Sequence, residues 1–204
     1  YFFPRLRVEF AGRHRDVTPN FTVHNRAELL RHISENQTDL AIMVRPPTDL
    51  DTINQPFSPH PYVIAAPPGH PLVGQRGISM ERLMLEPFVV REKGSDTRNS
   101  MEEGFGAHLA SLRVAMEIRS TETIKQAVIA GMGLSFMSAH TISLELRTGS
   151  LCVLDVQGFP LMRNWYVVHR RTKRLPPVAQ AFKDFLLADG TALIARIVPL
   201  DFPY

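Results

Sequence analysis

Short, continuous apolar runs recur along this chain, and segments with helical spacing separate them. DLAIMV (39–44), YVIAA (62–66), PFVV (87–90), LCVLDV (151–156) and NWYVVHR (164–170) have the length and apolar content of strands. A run with no polar alternation is the mark of a strand covered on both faces. LRVAMEIRS (112–120) and GLSFMS (133–138) also read as strands, and NFTVH (20–24) alternates and reads as a strand. Between them stand helix-like segments. One places Phe3, Leu6 and Phe10 on one face, and another places Leu29, Leu30 and Ile33 together behind the possible cap Asn25. In TETIKQAVIAGM (121–132), Ile124, Ala127, Val128 and Met132 share a face, with Thr123 and Gln126 fitting a capping box. A short helix is expected at 79–85, another over AHTISLELRTG (139–149), and a last one over PPVAQAFKDFLLADG (176–190), opened by proline and closed by glycine. RPPTDLDTINQPFSPHP (45–61), with five prolines, reads as a loop. Strands alternating with helices specify an α/β fold with buried, mostly parallel sheets.

At 204 residues the chain can bury a real core in one or two domains. Hydrophobic residues make up 44% and charged ones 21%, and no apolar run nears the roughly 18 residues of a membrane span. The opening YFFPRLRVEF lacks the pattern of a secretory signal, so the expected address is cytoplasmic. The lone Cys152 excludes an internal disulfide and reads as a small hydrophobe in a strand. A formal charge of +3 is only mildly basic, and HRRTKR (169–174) reads as a solvated turn rather than a nucleic-acid patch.

Templates for catalysis largely fail. The chain has no P-loop and no dinucleotide fingerprint, and GLSFM lacks the second glycine of a nucleophile elbow, which leaves Ser135 a strand residue. The eight histidines form no H-x-H or H-x-x-x-H pair, so neither a metal nor a cofactor is expected. Glu102 and Glu103 are adjacent and diverge by about 100° on a helix, so they read as charges in its early turns. What remains is a set of strand-to-helix junctions rich in hydroxyls: REKGSDTR around Ser95 and Thr97, RSTET around Ser120 and Thr121, HNR at Asn25, and VRPP at Arg45 and Pro46. Ligands in open α/β sheets bind beyond the carboxyl ends of strands, and the free N–H groups of helix starts attract anions. Each hydroxyl can equally cap its own helix. Arg91, Arg98, Arg119 and Arg45 stand near enough in sequence to neutralise a phosphate or carboxylate.

DLAIM, APPGHPL, the Gly-Ser-x-Thr-Arg junction and above all STETIKQAVIAGMGLSFMS resemble the effector-binding domain of LysR-type transcriptional regulators. The last block matches that family's S-x-x-x-I-x-x-x-V-x-x-G-x-G-I pattern, with Leu134 at its final position. RPP and FVVREKGSDTR are most similar to the regulators of Calvin-cycle and Rubisco operons. The resemblance implies two Rossmann-like lobes of the type II periplasmic-binding-protein kind, joined by two crossover strands, YVIAA and WYVVH. Lobe I would hold residues 1–65 and 167–204, and lobe II residues 66–166. It implies a small anionic, phosphorylated effector held between the lobes by Arg91, Ser95, Thr97, Ser120 and Thr121 of lobe II and Asn25, Arg45 and Pro46 of lobe I. Asp96 departs from the family's Gly-Ser-Gly-Thr and would put a negative charge at the rim.

On this reading the chain senses a metabolite and catalyses nothing. Homodimers would pair lobe I of one chain with lobe II of the other, tetramers would form at full length, and promoter DNA would be bound only through the family's winged helix-turn-helix domain, which these residues do not contain. Two alternatives share the fold: a transporter's solute-binding protein, and an enzyme.

Overall fold

The computed structural model describes residues 1–15 and 20–199. It divides into two compact units, Tyr1–His60 with Arg163–Pro199, and Pro61–Met162. The residues 200–204 that the sequence reading placed in lobe I lie outside the described residues.

In the first unit, helix α1 (Phe3–Arg13) buries Leu6 and Phe10, as its spacing predicts. Helix α2 (Arg26–Ser34) starts where expected, because the Asn25 side chain accepts the Glu28 N–H at 2.9 Å. Strand β1 (Ala41–Met43) follows and pairs antiparallel with a later strand of this unit, Ala41 opposite Val168 and Met43 opposite Tyr166. Rings gather around the last helix: Phe10 lies 5.0 Å from Phe182 and 5.5 Å from Phe185, centroid to centroid. Phe21 joins this cluster at 5.3 Å from Phe182.

NFTVH is not a strand. Val23 is 96% exposed and Phe21 only half-buried, so the alternation encloses no side chain and gains nothing from a ladder. The proline-rich stretch departs from expectation in the other direction. Strand β2 runs from Thr52 to Ala66 and takes in Pro56, Pro59 and Pro61. Proline fixes φ near −65° and pushes the residue before it toward extended backbone, so repeated X-Pro pairs favour a strand as readily as a loop. The run YVIAA is the end of this strand. β2 passes from the first unit into the second, and a later strand returns.

The second unit is built on strand β3 (Pro87–Arg91), whose middle three residues are buried. Helix α3 (Met80–Leu83), capped by the Ser79 hydroxyl, precedes it. After helix α4 (Asp96–Phe105), strand β4 (Arg113–Ile118) pairs parallel with β3. Helix α5 (Thr121–Ile129) leads to strand β5 (Ser135–Ser138), where Leu134 makes a parallel bridge to Phe88 on the other side of β3. β5 also pairs antiparallel with β2, Tyr62 opposite Ser138 and Ala65 opposite Ser135. A short 3-10 turn over Ala139–Thr141 precedes helix α6 (Ser143–Thr148), so the predicted single helix is broken in two. Strand β6 is only Cys152–Val153, and it pairs antiparallel with β2. Cys152 is half-buried rather than enclosed.

Strand β7 (Leu161–Arg170) and helix α7 (Pro177–Ile197) complete the chain. α7 runs past Gly190, where termination was expected, and the glycine serves close packing instead of ending the helix. A Cβ at that position would stand 2.7 Å from the Phe57 ring. HRRTKR spans the end of β7 and the turn before α7, with Arg171 bound to Asp51 and Lys173 to Asp39, each at 2.8 Å. The expectation of mostly parallel sheets fails. Among the described residues, parallel pairing joins β3 to β4 and two isolated bridges, and the remaining ladders above are antiparallel. Apolar content on both faces signals burial and carries no information on strand direction.

α5 buries Ile124, Ala127 and Val128 against Val63, Val89, Met137 and Ile142. Full burial of Ile124 or Val128 stabilises the unit by about 1.5–3 kcal/mol each. Met132, predicted for the same face, is 42% exposed because the helix ends at Ile129 and the chain turns away. Among the described residues no helix is long and apolar enough to cross a membrane.

Candidate ligand-binding site

β3 and β4 are parallel, and β5 enters parallel to β3, so the carboxyl ends of all three reach one edge. Each is followed there by a helix start or a turn: α4 after β3, α5 after β4, and the Ala139–Thr141 turn after β5. Topology alone therefore brings two helix N-termini, with their unpaired N–H groups and positive dipole ends, to the same place. Arg91, Thr97, Thr121, Ile124, Phe136, Met137, Ser138 and Thr141 line a cavity at this edge, of about 30 Å³. Sites for whole drug-sized molecules run from about 300 Å³, so these walls suit one polar end of a small ligand.

Among the described residues, Arg91 is the only charged group in the lining. Its guanidinium is held side-on by Glu92, through Nε at 2.7 Å and Nη2 at 2.9 Å. Nη1 points to the Thr121 hydroxyl at 3.4 Å. The backbone beneath is fixed as well, since the Arg91 carbonyl accepts the Arg98 guanidinium at 3.2 Å, and Arg98 in turn binds Glu102 at 2.6 Å. Glu102 thus pairs along the second turn of α4 rather than charging its start. Burial works against ionisation of Glu92, but the hydrogen bonds and charge of Arg91 outweigh it and hold the carboxyl below its ordinary range.

The predicted site residues separate into three groups. Arg91, Thr97 and Thr121 meet at the cavity. Ser95 and Ser120 do not line it: their hydroxyls accept the N–H groups of Arg98 at 3.0 Å and Thr123 at 3.2 Å and so cap α4 and α5. Ser120, not Thr123, caps α5, because the backbone is still extended at Ser120 and turns helical at Thr121. Asn25, Arg45 and Pro46 belong to the first unit. There the Asn25 side-chain oxygen caps α2, and the Arg45 carbonyl accepts the Arg26 guanidinium. Asp96 opens α4 as an acid in the first turn, which the helix dipole favours.

The third wall went unrecognised in the sequence. Phe136, Met137 and Ser138 are the end of β5, and Thr141 follows in the turn. The Thr141 hydroxyl donates to the Ser138 carbonyl at 2.8 Å. The Ser138 hydroxyl is buried with no hydrogen-bond partner among the described residues, a costly state that a ligand or water oxygen relieves. Applying the carboxyl-end rule to GLSFMS as well as to PFVV and LRVAMEI would have pointed to both residues.

Burial pushes the neighbouring His140 imidazole from its ordinary 6.5 down to about 4. Folded protein keeps it neutral while the unfolded chain protonates it, so the group costs nothing above pH 6.5. As pH falls from there toward 4, stability is expected to drop by about 3 kcal/mol in total from this group. Urea unfolding across that range will show the slope, and His140→Gln will flatten it.

Among the described residues no group of three or more His, Cys, Asp or Glu is placed to hold a metal ion. One cation, a cluster of hydroxyls and two helix starts on an otherwise apolar wall can bind a small anion and fix its orientation.

The sequence profile described as LysR substrate binding domain matches residues 1–190. The Rubisco operon transcriptional regulator of Allochromatium vinosum is 44% identical over 197 residues, covering 97% of this chain and 65% of that protein. The HTH-type transcriptional regulator CfxR of Cupriavidus necator is 42% identical over 196 residues, covering 96% and 62%. The chain thus spans just under two thirds of the length of these relatives. Among solved structures, the regulatory domain of CcmR from Synechocystis PCC6803, in complex with 2-PG, superimposes with a TM-score of 0.87 at 38% identity, over 92% of this chain and 90% of that one.

Proposed function

Because this chain belongs to the LysR substrate-binding domain family, we propose that its cavity binds the phosphate end of a small anionic metabolite, and that a longer protein carrying it uses that binding to control transcription of carbon-fixation genes. The observation that carries this reading is Arg91 facing Thr121 where α4 and α5 both begin. A phosphate needs positive charge and several donors converging on one point, and this edge supplies a guanidinium, hydroxyls and helix-start N–H groups. Its relatives are named as transcriptional regulators, two of them of Rubisco operons, and the CcmR domain was solved with 2-PG. That compound, 2-phosphoglycolate, is the first candidate ligand.

Preference of the ligand for one arrangement of the protein is what would carry the signal, since binding shifts an equilibrium only by its differential affinity. Asn25, Arg45 and Pro46 stay proposed contacts on the family resemblance. The same resemblance supports antiparallel homodimers, tetramers at full length, promoter binding by a separate N-terminal domain and a cytoplasmic address.

Calorimetric titration with 2-phosphoglycolate tests the reading, with glycolate as the partner lacking phosphate. A saturable heat is expected with the first and none with the second. Equal binding of both, or of neither, would sink the phosphate assignment.

A further inference from the structure

Lys125 lies in the middle of α5, the helix that gives Thr121 and Ile124 to the cavity, and its side chain is only 4% exposed. A buried lysine is costly unless its charge and all three donors are met. Here they are met from two directions. Nζ stands 2.8 Å from Glu122 on its own helix, 2.8 Å from Glu145 on α6, and 3.3 Å from the carbonyl of Thr141. Burial opposes the charge, but the hydrogen bonds that the ammonium donates to Glu122 and Glu145, with their negative charges, outweigh it, so the proton is held more firmly than in water.

Thr141 is itself a wall residue, tied through its hydroxyl to the carbonyl of Ser138, another wall residue. Two sides of the cavity are therefore fastened to each other by one buried ammonium that never reaches the lining. Apolar packing of Ile124 against Ile142 brings the elements together, yet dispersion is non-directional and leaves their sliding free. A charge-assisted bond to a turn carbonyl fixes direction and distance.

We propose that Lys125 is a positioning residue of the ligand site: through the Thr141 turn it sets Ser138 at the spacing from Thr121 at which one anion engages both the Ser138 and the Thr121 hydroxyls. This rests on the reading of the cavity as a phosphate site. Lys125→Met keeps the length and loses the charge, and is expected to weaken 2-phosphoglycolate binding about tenfold or more, the scale of one lost charged hydrogen bond. Lys125→Arg, which retains charge and donors, should restore most of it. Amide hydrogen exchange without ligand gives the separate readout. In Lys125→Met, residues 139–146 should exchange faster while Val89 and Val90 of β3 keep the wild-type rate. Should wild type fail to bind 2-phosphoglycolate, the phosphate reading falls and the exchange pattern still judges the latch. Unchanged exchange at 139–146, or a uniform increase across the whole unit, overturns the positioning role, and so does wild-type affinity in Lys125→Met.

Discussion

Alanine in place of Gly133 is expected to lower the melting temperature by about 10 °C, corresponding to roughly 3 kcal/mol or more for a chain of this size. Gly133 has φ of +153°, and a Cβ there would stand 2.5 Å from the Pro87 carbonyl oxygen and 2.9 Å from its carbon. These are backbone atoms, so no rotamer change can make room. The same carbonyl accepts the Leu134 N–H at 2.8 Å, and Val89 N–H returns the bond to the Leu134 carbonyl at 2.8 Å. Relief of the clash therefore requires parting β3 from β5, with loss of those bonds. Gly131 provides the comparison. Its φ of +81° also disfavours a side chain, but nothing lies within 4 Å of the added carbon. Gly131→Ala should cost only the conformational penalty, about 1–2 kcal/mol. Thermal unfolding by circular dichroism distinguishes the two, and similar melting points would show that the close approach is easily relaxed.

Arg91→Ala is expected to weaken 2-phosphoglycolate binding about 100-fold, or about 2.7 kcal/mol. It removes the one charged group of the lining among the described residues and leaves Glu92 without its bidentate partner, as a negative charge next to the place an anion must occupy. Arg91→Lys should fall between, near tenfold, because an ammonium keeps the charge but cannot bind Glu92 and a ligand in one plane. Calorimetry on the three proteins measures the series. An alanine variant that binds within about threefold of wild type would remove Arg91 from the site.

Much of this unit was readable in the sequence. Strands PFVV, LRVAMEI and GLSFMS and the helices after them follow from apolar runs and spacing, and the junctions at Arg91, Thr97 and Thr121 follow from the rule that ligands meet the carboxyl ends of strands. Capping was harder to apportion. Ser95, Ser120 and Asn25 each carry a hydroxyl or amide that can serve a helix end, a ligand or both, and only the backbone path shows that all three cap helices. Strand direction was not readable at all, because β1, β2 and β5 are apolar whichever way their partners run. Nor was β2 itself, whose prolines signal a break while their fixed φ suits extended chain. Ser138 and Thr141 were overlooked for a related reason: in a run as apolar as GLSFMS a terminal hydroxyl draws no notice until β5 is placed beside β3.

The clasp between Arg91 and Glu92 has a consequence for selectivity. With Glu92 ionised well below neutral pH, an anion arriving at the cavity meets a closed ion pair instead of a bare cation. Long-range attraction is then weak, and simple ions at high concentration have little to draw them in. Only an anion whose oxygens match the remaining donors of Arg91 and the hydroxyls around it recovers enough to stay. The acid next to the binding arginine thus works as a filter, exchanging raw affinity for discrimination among the many phosphates and carboxylates in a cell.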